Sequence, residues 1–60
     1  MMLTWREVER VFQAQGMVSV QAECSIDEAL ILIGERALVQ HRDVIEIADA
    51  VLEHLIRFGP

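Results

Sequence analysis

The 60-residue sequence has one cysteine, one proline (its last residue), and no lysine or tyrosine. The lone Cys24 cannot form a disulfide within the chain, and one cysteine with two histidines is too little for a structural zinc site. No apolar run is long enough to cross a membrane, and the N-terminus lacks the pattern of a secretion signal. An unpaired cysteine suits a reducing compartment, so we expect a cytoplasmic protein.

Motifs that support catalysis are also missing. Gly16, Gly34 and Gly59 are isolated, so no glycine-rich phosphate-binding loop is present. Cys24 and His41 could meet in space, but no third group is placed to orient the histidine. Packing is the simpler explanation of the cysteine. We expect no enzymatic activity, no cofactor and no bound metal.

Basic residues are few, which limits the partners that the composition favours. Five arginines stand against ten acidic residues, for a net charge of −5, and the acids outnumber the arginines in each of the segments 1–23, 24–40 and 41–60. Proteins that bind nucleic acid usually cluster cations that neutralise phosphates. Composition alone therefore argues against RNA or DNA, and the lack of a basic recognition helix makes DNA the poorer of the two.

Three helix-start signals divide the sequence. Thr4–Glu7 and Ser25–Glu28 are capping boxes, and Asp43–Glu46 is a looser third one. After each start, apolar residues recur at intervals of three and four, as on one face of an α-helix. The pattern predicts an all-α fold, a single three-helix bundle over residues 1–60 with helices near residues 4–22, 26–39 and 44–57.

Several apolar residues fall outside these helical stripes. The hydrophobic share of 53% is high for so small a chain, because a domain of this length leaves much of its surface exposed. The surplus residues are either scattered on the surface, which is common, or form a face for self-association, which we favour because small domains usually need a partner. They are Ile31, Leu32, Leu38, Val39, Ile45 and Ile56.

One stretch is more specific than its periodicity. It contains Phe12-Gln13-Ala14-Gln15-Gly16-Met17-Val18-Ser19-Val20-Gln21 and Cys24-Ser25-Ile26-Asp27-Glu28-Ala29, followed by Arg36-Ala37, His41-Arg42, Val44, Ile47-Ala48, Val51 and Leu55-Ile56-Arg57-Phe58. This stretch resembles the ANTAR domain, the output module of many bacterial transcription antitermination regulators, and its actinobacterial members in particular. The family pattern is Gln-Ala-x-Gly-Met in the first helix, a Ser-x-x-Glu-Ala turn, and Val-Ala in the last helix.

The resemblance implies three helices, a homodimer formed through the first helix, and binding of paired RNA hairpins that lets RNA polymerase read past a terminator. ANTAR domains normally follow a sensory domain, and these 60 residues contain none. Relatives are often basic where this chain has Gly34, Glu35, Asp49, His54 and Leu55. The alternative is therefore an ANTAR-like protein-interaction or dimerisation module that does not bind RNA.

The resemblance and the residue types together suggest site residues. If the chain binds RNA, arginines must contact phosphates, and amide and imidazole groups can bind bases exposed in hairpin loops. The candidates are Arg36, Arg42, Gln13, Gly16, Gln40 and His41, with Arg10 as a further possible cation. The candidate dimer interface in the first helix is Trp5, Val8, Val11, Phe12 and Gln15.

Two motif positions have competing interpretations. Gly16 lies within the first helix, where glycine costs about 1 kcal/mol relative to alanine. It permits close approach of another helix of the same domain, which we favour, or of RNA. Ser25 and Glu28 are better explained as helix caps than as ligand contacts.

Overall fold

A computed structural model describes residues 3–59, which form three α-helices and no strand. The helices are α1 (Trp5–Ala22), α2 (Ile26–Gln40) and α3 (Val44–Leu52). The radius of gyration, 10.5 Å, is about that of a compact domain of this length. The predicted all-α three-helix bundle is therefore confirmed.

Capping residues fix where the helices begin. The Glu7 N–H donates to Thr4 Oγ1 at 3.2 Å, and the Thr4 N–H donates to Glu7 Oε1 at 2.8 Å. At the start of α3, the Asp43 N–H donates to Glu46 Oε1 at 3.1 Å. These contacts satisfy backbone donors that the first turn of a helix leaves free, and each start lies within one residue of its prediction.

The core between the helices consists mostly of small aliphatic residues. Its buried members are Val11, Ala14, Val18, Ala29, Ile33, Ala37, Ile47, Ala48, Val51 and Phe58. Gln15 is buried beside them, and its Nε2 donates to the Ile26 carbonyl at 2.8 Å. The one polar residue in the apolar stripe of α1 is thus hydrogen-bonded and ties α1 to the start of α2.

The third helix ends earlier than predicted, at Leu52 instead of near residue 57. His54 adopts a left-handed conformation with φ of 60°. The His54 N–H donates to the Val51 carbonyl at 3.0 Å, and the Leu55 N–H donates to the Ala50 carbonyl at 2.8 Å. This pair of bonds is a Schellman termination. The prediction was wrong here because a histidine occupies the position where glycine usually marks a helix end.

The segment after α3 folds back onto the end of α1 and beside α2. Phe58 is buried, and its N–H donates to Gln21 Oε1 at 3.0 Å. The guanidinium of Arg36 in α2 lies 4.5 Å from the centre of the Phe58 ring. Gly59 has a φ of 133°, and a Cβ there would lie 2.1 Å from the Gln21 carbonyl oxygen. Only glycine fits this approach without displacing the segment.

Gly59→Ala should lower the free energy of unfolding by about 2 kcal/mol, because the added methyl clashes with α1 and undocks Phe58. Gly34→Ala is the matched control. An added Cβ at Gly34 meets nothing within 4 Å, so this change within α2 should raise stability by about 1 kcal/mol. Urea unfolding followed by circular dichroism measures both. Equal stability of Gly59→Ala and the wild type would contradict the docking of the segment.

Candidate functional site

The side of α1 that faces away from the core exposes a row of large apolar side chains. Trp5 is 72% exposed, Phe12 62% and Val20 79%. Together with Gly16 they lie at positions 5, 12, 16 and 20, with spacings of seven, four and four residues. These spacings place all four on one side of the helix. We call these four residues the α1 outer face. Large apolar side chains in a row on the surface are typical of an interface.

Gly16 has open space where a side chain would stand. A Cβ added at this position would meet nothing within 4 Å. The favoured interpretation of Gly16, close packing against another helix of the same domain, is therefore wrong. Gly16 instead lines an open, shallow groove with Gln13, Val20 and Leu52, where the bare backbone is accessible from outside.

The residues predicted for the dimer interface divide into two groups. Val11 and Gln15 are buried in the core, whereas Trp5 and Phe12 are exposed and Val8 is half-buried. Val20, which sequence reasoning did not include, lies in line with the exposed pair. Val20 could have been predicted from its helical spacing, because it lies four residues after Gly16 and eight after Phe12.

Three of the six candidate RNA-binding residues come together at the corner between α2 and α3. Gln40, His41 and Arg42 are consecutive and exposed. His41 ends α2 in a left-handed conformation with φ of 54°, and Arg42 Nη1 donates to Gln40 Oε1 at 3.4 Å. The other three lie elsewhere, Gln13 and Gly16 along α1 and Arg36 against the Phe58 ring.

The arginines expected to contact phosphates all make contacts within the chain. Arg10 Nε donates to Asp49 Oδ1 between α1 and α3. Arg42 Nε lies 3.6 Å from Glu46 Oε2, with both side chains well exposed. An exposed pair of this kind contributes only about 0 to 1 kcal/mol, so Arg42 can exchange Glu46 for a phosphate at little cost. The guanidinium carbon of Arg36 lies over the Phe58 ring, and a guanidinium in a cation–π contact keeps N–H groups that can donate to a phosphate.

The Ser25–Glu28 motif is a reciprocal cap of α2. The Glu28 N–H donates to Ser25 Oγ at 3.1 Å, and the Ser25 N–H donates to Glu28 Oε1 at 3.2 Å. The hydrogen bonds from the Ser25 backbone and hydroxyl lower the pKa of Glu28 below its ordinary value of 4.5. The interpretation of both residues as caps is confirmed.

Comparisons of the chain with models of known protein families, with curated proteins and with solved structures find no match. The resemblance to the ANTAR domain therefore depends on the residue pattern alone. Three alanines of that pattern, Ala14, Ala29 and Ala48, are fully buried where the helices meet. Much of the pattern consists of residues that pack the bundle, and the surface must supply any ligand contact.

Two further properties concern residues 3–59 only. No helix there is both long and apolar enough to span a membrane. Within the same range, no three side chains of histidine, cysteine, aspartate or glutamate are grouped so that they could hold a metal ion.

Glu28→Gln should lower the free energy of unfolding at neutral pH by removing the pH-dependent contribution of the Glu28 carboxylate. Since the folded pKa of Glu28 is below 4.5, its contribution is complete above that pH and disappears as the pH falls through the folded value. Urea unfolding from neutral to acidic pH should therefore give wild-type and variant stabilities that converge at low pH. Ser25→Ala, which removes the hydroxyl contact, should change stability in the same direction. Parallel curves for Glu28→Gln and the wild type would rule out this role of the charge.

Proposed function

We propose that the chain is a regulatory module that dimerises through the α1 outer face and, as its resemblance to the ANTAR domain implies, binds paired RNA hairpins as a dimer. The observation that carries the proposal is the exposed row of Trp5, Phe12 and Val20 around the bare backbone of Gly16. The RNA part draws on the family resemblance and on the exposed corner at residues 40–42.

A second copy suits the α1 outer face because little charge would be buried there. Glu9 is the one charged residue that falls within the row, between Trp5 and Phe12. Aromatic residues are enriched in the buried centres of protein interfaces. Gly16 lets a partner helix come close to the backbone. Pairing would also add the apolar contact that a core of this size lacks.

The corner at residues 40–42 supports the RNA part. Gln40 has both donor and acceptor groups, His41 can bind a base edge, and Arg42 is held only by an exposed ion pair. Bases exposed in RNA loops are recognised by stacking and by hydrogen bonds to their edges, and these polar side chains can supply such hydrogen bonds. A two-fold dimer presents the corner twice, which suits a ligand made of two hairpins.

A second candidate function keeps the dimer and omits RNA. It is favoured by the contacts of Arg10, Arg36 and Arg42 within the chain and by the net charge of −5. In this case the module associates with proteins only. The two candidates share the α1 outer face and differ in whether the corner at residues 40–42 binds phosphates.

Phe12→Glu should weaken self-association about tenfold or more, because it places a charge at the centre of the α1 outer face. Sedimentation velocity across a range of concentrations measures the effect. Leu55→Glu is the matched control, since Leu55 is 76% exposed but lies beyond α3, and it should leave the dimer intact. A wild-type chain that is monomeric at high micromolar concentration would exclude the dimer.

Arg36→Ala and Arg42→Ala should each weaken binding of a labelled two-hairpin RNA and reduce the dependence of affinity on salt by about one unit of log–log slope. Fluorescence anisotropy at low and near-physiological salt measures this with the dimer formed. Arg6→Ala, an exposed arginine at the start of α1, is the control. Unchanged affinity in both variants would remove these residues from the site. Absence of wild-type binding at either salt would select the second candidate.

A further inference from the structure

A groove runs along the outer side of α2, and its lining shares no residue with the α1 outer face. It consists of two adjoining hollows of about 260 Å³ and 290 Å³. Leu32 and Glu35 line both hollows, so the two are continuous. We call this surface the α2 groove. Its lining residues are Cys24, Glu28, Ile31, Leu32, Glu35, Arg36, Val39 and Phe58.

The α2 groove exposes large apolar side chains that the bundle does not use. Ile31 is 61% exposed and Val39 77%, and the neighbouring Leu38 is 78% exposed. The opposite side of α2 supplies Ala29 and Ile33 to the core, where both are fully buried. A helix that is apolar on both sides is normally covered on both sides. The outer side of α2 therefore fits an interface.

The charges around the groove are mainly negative and indicate what covers it. Glu28 and Glu35 lie on its rim, and within residues 3–59 neither makes an ion pair. Asp27 is exposed next to Glu28. The one cation in the lining, Arg36, lies over the Phe58 ring. A second copy would bring the same carboxylates against each other, and RNA phosphates would be repelled. A cationic partner fits this surface.

The spacing of the hollows also constrains the partner. Four residues of α2 line the first hollow, at positions 28, 31, 32 and 35. Adding four to each number gives the α2 residues that line the second hollow, at positions 32, 35, 36 and 39. The hollows are therefore about 6 Å apart along α2, one helical turn. Side chains four residues apart on a partner helix have the same separation. Glu28 and Glu35 are two turns apart, which matches cations spaced by seven residues.

We propose that the α2 groove binds a basic amphipathic helix of a partner protein. Two apolar side chains of that helix, at positions i and i+4, fill the two hollows. Lysine or arginine side chains beside them pair with Glu28 and Glu35. This is a helix-in-groove mode of recognition. It uses neither the α1 outer face nor the corner at residues 40–42. Of the candidate RNA contacts, Arg36 alone also lines the groove.

The first test uses a synthetic helical peptide about four turns long, with leucines along one side and lysines flanking them. A control peptide has glutamate in place of every lysine. Methyl NMR spectra of the full chain should show that the lysine peptide perturbs Ile31, Leu32 and Val39. Added salt should weaken its binding, and the glutamate peptide should not bind. Equal affinity for the two peptides, or perturbations confined to α1, would overturn the proposal.

The second test reverses one charge of the groove. Glu35→Arg should weaken binding of the lysine peptide about tenfold or more, because it replaces an attraction by a repulsion. Glu53→Arg, an equally drastic change at an exposed position after α3, should have no effect. Unchanged binding by Glu35→Arg would refute the assignment. Stronger self-association of Glu35→Arg would also refute it, by identifying a second copy as the occupant. Phe12→Glu should leave peptide binding unchanged, so failure of the dimer and failure of the groove can be told apart.

Discussion

Close contact between three short helices at small side chains is the constraint on which the rest of the structure depends. Ala14, Ala29 and Ala48 are fully buried, and alanine lets helix backbones approach where larger residues would hold them apart. Such a core buries little apolar area for each residue. Several large apolar side chains of α1 and α2 remain outside this core, and some of them form the α1 outer face and the α2 groove.

These two surfaces differ in charge, and the difference separates their roles. The α1 outer face contains a glycine and has one carboxylate beside it, that of Glu9, so we propose that a second copy covers it. The α2 groove has carboxylates on its rim that no cation neutralises among residues 3–59, so it favours a partner of opposite charge. In the proposed arrangement, one small bundle has a surface for a second copy and another for a different protein, and the corner between α2 and α3 is left for RNA.

The sequence was sufficient to predict the parts of the fold that local interactions determine. Capping pairs such as Thr4 with Glu7 involve residues three apart, so the pattern predicts each helix start. The end of α3 was missed because His54 takes the left-handed position that a glycine usually marks. The docking of Phe58 between Gln21 and Arg36 is a tertiary contact, which periodicity does not encode. Periodicity also could not separate Val11 from Phe12. On a helix that is apolar on two sides, only the packed structure decides which residue faces inward.

Phe58 joins two parts of the molecule that are distant in sequence. Its backbone N–H donates a hydrogen bond to Gln21 Oε1 of α1. Its ring lines the second hollow beside Arg36. A ligand in that hollow contacts the Phe58 ring and therefore stabilises its docked position. Undocking of the segment after α3 would remove this contact surface from the ligand. Occupancy of the α2 groove and order of this segment are therefore thermodynamically linked, and by reciprocity each stabilises the other.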